Sequence, residues 1–204
     1  MLLQAVVVVS LLIASVCFYA YFEARNRQRL THQLGKFRQI FLATFQMATD
    51  GVVQKNDALR WPGDLKAGPN AILSVSDLLR RLLDNDYLTE SDIQYITSAH
   101  GISGWNPTHP DADKNCAFKV YRVSEKDAMS TIVFATRNFT YGKDLDSKQM
   151  PYGNKAFVLI RKGGDGAVYR ATQARNLEQL GLLPGRKDFT DRPVETPEDT
   201  LEQR

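Results

Sequence analysis

The sequence predicts an α+β protein. A long N-terminal α-helix, transmembrane in its first half, is expected to pack on a small antiparallel β-sheet. Three observations carry this expectation. Residues Leu2 to Phe22 (LLQAVVVVSLLIASVCFYAYF) contain no charge, no Pro and no Gly. From Leu30 to Ala48 apolar residues recur in steps of three and four, the period of one helical face. Beyond Cys116 the period drops to two, in segments rich in Val, Ile, Phe and Tyr.

Residues 1–22 read as a transmembrane anchor. At about 1.5 Å per helical residue the run just crosses a bilayer core of about 30 Å. It ends in Phe18, Tyr19, Tyr21 and Phe22, rings that favour a lipid–water interface. No Lys or Arg precedes the run, and bulky aromatics stand where a signal peptidase needs small residues, so an uncleaved anchor is expected. A buried core helix is the alternative, disfavoured because Val6 to Val9 and Leu11 to Ile13 are apolar on all faces.

Residues 23–50 read as an amphipathic helix continuing the anchor. No Pro occurs before Pro62, and Gly35 is the only Gly before Gly51. Leu30, Leu34, Phe37, Ile40, Phe41, Ala43, Thr44, Phe45 and Ala48 form the inward face, while Arg29, Lys36, Arg38 and Gln39 occupy much of the rest. Asp50-Gly51 is expected to end the helix, Gly being suited to the left-handed residue after a last turn.

Residues 51–183 read as a globular α+β head. A Gly/Pro-punctuated loop covers 51–73, and Trp61 and Trp105 are expected to pack loops onto the core. Ser76-Asp77 opens a second helix with Leu78, Leu79, Leu82 and Leu83 inward. Thr89-Glu90-Ser91-Asp92 resembles a capping arrangement opening a short third helix through Ile96. Ala117–Val123, Thr131–Thr136, Ala156–Arg161 and Ala167–Arg170 read as strands, the last two joined across Gly163-Gly164-Asp165-Gly166, a hairpin signal. Residues 184–204 are polar, contain Pro193 and Pro197, and read as a disordered tail.

Composition and motifs narrow the function. The net charge is +3, with much of it close after the apolar run, so Lys and Arg meet lipid head groups rather than nucleic acid. Cys17 and Cys116 are too differently placed to pair, which excludes a disulfide framework or a Cys-based metal site. No G-x-S-x-G, H-E-x-x-H, C-x-x-C or G-x-G-x-x-G motif occurs, and no catalytic residue is assigned. The chain reads as a non-enzyme. His32 reads as a solvated residue of the long helix, whereas His100 and His109 flank a loop containing Asp111, Asp113 and Asn115. That D-x-D-x-N order begins like a calcium loop, but Cys116 stands where Gly is needed and Arg122 where a bidentate Glu is needed. An EF-hand is therefore excluded, leaving a looser calcium site or a polar loop with Asx turns. Asn138-Phe139-Thr140 is a glycosylation sequon.

This layout resembles type IV pilin-like proteins, specifically the pseudopilins of type II secretion systems. FRQIFLATFQMATDG is similar to the family segment in which an Arg/Lys-Gln-Ile run leads to an aromatic residue, an Asp/Asn and a Gly. MPYGNKAFVLIRKGGDGAVYR is similar to the family's closing hairpin. The resemblance implies a structural subunit of a type II secretion or type IV pilus-like envelope assembly. It also implies packing against other pilin-like subunits and lipid through the N-terminal helix, where Ala5, Ser10, Ala14 and Ser15 permit close approach. The alternative is a single-pass, membrane-tethered binding domain that does not polymerise. The implied location is the inner membrane with the head periplasmic, although the basic residues after the run would, by the positive-inside rule, hold the head in the cytoplasm. Calcium at Asp111, Asp113 and Asn115 is the one cofactor the resemblance suggests, since major pseudopilins use a calcium-stabilised loop near the terminal strands. The chain departs from the family in lacking Phe-Thr-Leu-Ile-Glu after a basic leader and any Glu before Glu23. Either a leader precedes Met1 or the chain is a divergent, unprocessed relative.

Overall fold

A computed structural model describes residues 2–108, 115–149, 152–190 and 194–201, with side chains from residue 10 onward. Among the described residues the α-helices are α1 (Leu2–Val53), α2 (Val75–Asp84), α3 (Glu90–Thr97) and α4 (Leu177–Leu180). Four strands are β1 (Phe118–Val120), β2 (Ile132–Thr136), β3 (Ala156–Arg161) and β4 (Gly166–Arg170). The chain divides into two compact units, Met1–His32 and Gln33–Arg204.

In the first unit every side chain from Ser10 to Arg25 is exposed. What order the side chains show is local. Phe18 and Phe22 approach to 4.6 Å between ring centres, and Arg27 pairs with Glu23 one turn earlier. Such an exposed pair contributes at most about 1 kcal/mol.

The expected transmembrane anchor over 1–22 is not upheld. Among the described residues no helix is long and apolar enough to cross a membrane. Charge bounds the apolar run at Phe22. Glu23, Arg25 and Arg27 follow directly. The single-pass inner-membrane location with its periplasmic head falls with the anchor.

In the second unit α1 is one-sided, as its period requires. Phe37, Ile40, Phe41, Thr44, Met47 and Ala48 are all buried, at steps of three, one, three, three and one. Phe37 meets Phe118 edge-on at 5.4 Å, and Phe118 meets Phe134 edge-on at 5.6 Å. This chain of rings ties the helix to β1 and then to β2. Two expectations for this helix are corrected. Lys36 is buried, because its ammonium donates to the Ser98 carbonyl and hydroxyl, each at 2.9 Å, and lies over the Tyr95 ring. Phe45 remains 45% exposed, stacked at the margin on Phe41 and edge-on to Trp61.

Gly51 does not end α1, which runs on to Val53. The left-handed residue is Lys55, at φ 55°. Gly51 serves close approach instead: a Cβ there would lie 1.7 Å from the Leu59 carbonyl oxygen.

The sheet is an antiparallel meander in the order β1-β2-β3-β4. Phe118 pairs with Thr136, Ala135 with Leu159, and Phe157 with Tyr169. β2 is buried throughout and β3 nearly so, which places cover on both faces. On the face away from Ile160, Phe157 stacks between Phe139 at 4.7 Å and Tyr169 at 5.2 Å. β1 is shorter than the predicted Ala117–Val123. The chain turns tightly at Arg122, where the Val123 amide donates to the Tyr121 carbonyl.

α2 is capped two residues earlier than expected. Ser74 is the N-cap and Asp77 closes a capping box; Leu78, Leu79 and Leu82 are buried but Leu83 only partly so. Thr89 and Asp92 cap α3 as the sequence indicates. Trp61 and Trp105 are both buried, and Trp105 is held by Ser76 and by Thr97, the latter accepting its backbone amide at 2.7 Å.

The tail expected to be disordered packs on the head over its described part. Tyr121 bridges antiparallel to Thr200, Leu201 donates to the Val120 carbonyl, and Leu201 and Asp199 are buried. Polar composition misleads here because the polar residues have buried partners.

The two α1 glycines give opposite expectations. Nothing lies within 4 Å of a Cβ placed at Gly35, so Gly35→Ala raises stability by about 0.5–1 kcal/mol through helix propensity. Gly51→Ala gains the same propensity but drives its methyl into the Leu59 backbone, and loses about 1–3 kcal/mol net. Urea unfolding of the two variants checks both signs.

Candidate assembly surface

The feature of the chain that most needs a partner is the N-terminal part of α1. Leu11, Leu12, Ile13, Val16, Phe18 and Tyr19 are each 59–71% exposed. They point in all directions around the helix, so no single face is set aside for water. Soluble monomers rarely leave several hundred Å² of contiguous apolar surface uncovered, and such surface marks an interaction site. Ser10, Ala14 and Cys17 follow one another at steps of four and three, which aligns three small side chains on one face. A neighbouring helix could approach closely along that line. Cys17 is an exposed free thiol, whereas Cys116 is buried.

The expected calcium residues are divided. Asp111 and Asp113 lie outside the described residues, as does His109. Asn115 is half-buried. Among the described residues no group of three or more His, Cys, Asp or Glu side chains could hold a metal ion. His32 and His100 are exposed and far apart in sequence. The sequon is excluded as a glycan acceptor by burial: Asn138 is fully buried, its amide donating to the Gly153 and Ala156 carbonyls.

The head contains a buried polar cluster that motif reading does not find. Glu195, its side chain 9% exposed, pairs with Lys119 at 3.1 Å. It also accepts from the Tyr121 hydroxyl at 2.8 Å and the Tyr141 amide at 2.9 Å. Lys119 reaches the Thr140 hydroxyl as well. Nearby in sequence, Asp199 accepts from Arg186 at 3.0 Å and from both the amide and hydroxyl of Thr196. Arg122 spans three backbone carbonyls, those of Thr200, Ile72 and Leu73. The sole sequence hint was two acids, Glu195 and Asp199, among prolines; their partners are remote in sequence.

A shallow pocket of about 190 Å³ adjoins this cluster, lined by Lys66, Arg122, Asp127, Arg186, Glu198 and Asp199 among others. Cations and carboxylates there are equal in number, and Asp127 and Asp199 are already bonded within the protein.

In comparison with known proteins, no family model, no curated protein and no solved structure matches the chain.

Removing the Glu195 carboxylate should be costly because it leaves the Tyr121 hydroxyl and the Tyr141 amide without their acceptor and Lys119 without its counter-charge. Glu195→Ala is expected to lose about 3–5 kcal/mol, read from chemical denaturation. Alkali should act on the same region. Burial, reinforced by the Glu195 charge, raises the Tyr121 hydroxyl well above its ordinary value, and burial lifts Tyr141 to about 12. Raised values mean that the neutral phenol is the form the fold holds. This contribution is therefore complete below about pH 10, the unfolded tyrosine value, and is lost as pH climbs toward 12 and beyond. Thermal melts between neutral pH and pH 12, followed with tyrosine ultraviolet absorbance, should show stability falling above pH 10 before these phenols ionise.

Proposed function

We propose that the chain is a structural, non-catalytic subunit of pilin-like design, of the kind found in type II secretion or type IV pilus-like assemblies. It joins other pilin-like subunits through its N-terminal helix. One observation carries this reading: the stretch from Leu11 to Phe22 is helical, apolar on every side and uncovered. Neighbouring copies of the same stretch supply the missing cover, since apolar helices packed side by side bury one another's surface. The head is suited to being carried by such a helix. It has a core of its own, held by the Phe37–Phe118–Phe134 ring contacts. Its loops are then free to define which neighbour fits.

The native thiol tests the reading. Mild oxidation should link Cys17 of one copy to Cys17 of another, while buried Cys116 stays reduced. Replacing Leu12 and Val16 by Glu should abolish the linked species and disperse high-molecular-weight material, with the melting temperature of the head unchanged. If oxidation at assembly concentrations never captures a like neighbour, association through this helix is wrong.

A further inference from the structure

We propose that residues 194–201 are a clasp that opens while the rest of the head stays folded, and that the edge of β1 it covers can accept the same segment from a second copy. The geometry of the seat carries this. β1 is the first strand of the sheet, and its outer edge is paired by the chain's own C-terminal segment. The Arg122 amide donates to the Asp199 carbonyl at 2.8 Å, and the Leu201 amide donates to the Val120 carbonyl at 2.9 Å. Two backbone bonds make a short seam compared with the full ladder between β3 and β4.

Side chains provide the rest of the hold, and they are complementary in charge. Glu195 enters against Lys119, and Asp199 against Arg186. Leu201 is buried at one end, while Val194 and Glu198 remain exposed. The seat is therefore specific: an acidic segment with one 3-10 turn at Pro197–Asp199, ending in an apolar anchor. A segment held by a few strong side-chain contacts on an edge opens locally at lower free energy than central strands do. An uncovered strand edge in turn pairs readily with another chain.

The occupant that fits the emptied edge is this same segment from another copy, because it carries the same Glu195, Asp199 and Leu201 at the same spacing. In dilute solution the chain's own clasp wins, since its tether gives it an effective concentration in the millimolar range. Packed copies bring a second clasp to comparable concentration. That exchange rests on the assembly proposed above; the opening of the clasp does not.

Hydrogen exchange on the intact chain tests the opening. The Arg122 and Leu201 amides should exchange about tenfold or more faster than those of β3. Glu195→Gln should speed these two amides and leave β3 unchanged. Equal rates at all these amides would show that the segment is an integral strand, and would overturn the proposal. The second arm tests seating from outside. A protease site inserted between Lys187 and Val194 is cut in the folded chain, and a fluorescent peptide of residues 194–204 is added. The peptide should replace the cut fragment with the melting transition of the head retained, and the Glu195→Gln peptide should replace it at least about tenfold less well. Unfolding of the head on cutting, or a fragment that the peptide never displaces, would overturn exchange. Neither arm depends on Cys17, so failure here and failure of helix-mediated assembly are separable.

Discussion

The head depends on a single contact: the aromatic seam between α1 and the sheet. Phe37 and Ile40 are fully buried on the helix, Phe118 and Phe134 on β1 and β2, and the rings meet edge to face. Each buried Phe removes on the order of 150–250 Å² from water and adds a directional ring term. The seam also fixes register. A one-residue slip of β2 would turn Phe134 to the opposite face of the sheet and break the chain of rings. Other features adjust to this seam. Gly164 lies against Phe41, and Gly166 against Leu34 and Ile160, so the β3–β4 turn comes close to the helix without side chains in between. Gly166 stands where a Cβ would meet Ile160 at 2.7 Å.

The second constraint is polar satisfaction. The head buries two lysines without a carboxylate as their first partner. Lys36 reaches Ser98, and Lys162 reaches the Glu125 and Asp127 carbonyls. Burial lowers the Lys36 pKa, which marks the cost of holding that charge away from water. In both cases loop backbone oxygens do the solvating, so each lysine also fixes the course of a loop. The same logic governs the C-terminal segment, where Glu195 and Asp199 gather donors from β1, the Tyr141 amide, Arg186 and the local turn. A polar sequence is in these places as structural as an apolar one.

Local signals were legible in the sequence. The 3.6-residue period drew the inward face of α1 from Phe37 to Ala48, and the Gly163–Gly166 turn drew the hairpin of β3 and β4. Thr89 and Asp92 announced α3 because a capping box is complete within four residues. What failed was non-local. Glu195 bonds partners 74 and 76 positions away, and no local pattern encodes such a pairing, so a proline-bearing polar tail read as disordered. Gly51 read as a helix stop because a stop is the commoner use of Gly; its true constraint, the Leu59 carbonyl, comes from a loop whose course the sequence does not specify. The apolar run read as a membrane span, which the structure does not uphold; that its side chains lie uncovered from Ser10 to Arg25 was seen only in the structure. Composition reports the need for cover, not what provides it.

Two demands meet within α1, and they are met by different chemistry. From Gln33 onward helicity is supported by tertiary burial, the usual source of helix stability. From Ser10 to Arg25 no described side chain is buried, and the stretch includes Ile13, Val16 and four aromatic residues, none a strong helix former. Propensity alone leaves such a helix marginal in water. Its apolar surface is a further penalty in the isolated chain and becomes favourable once like surfaces meet. The same residues are therefore poorly suited to water in the free segment, and this is what the proposed assembly would relieve. The head, in contrast, has a core of its own, from Phe37 to Leu201.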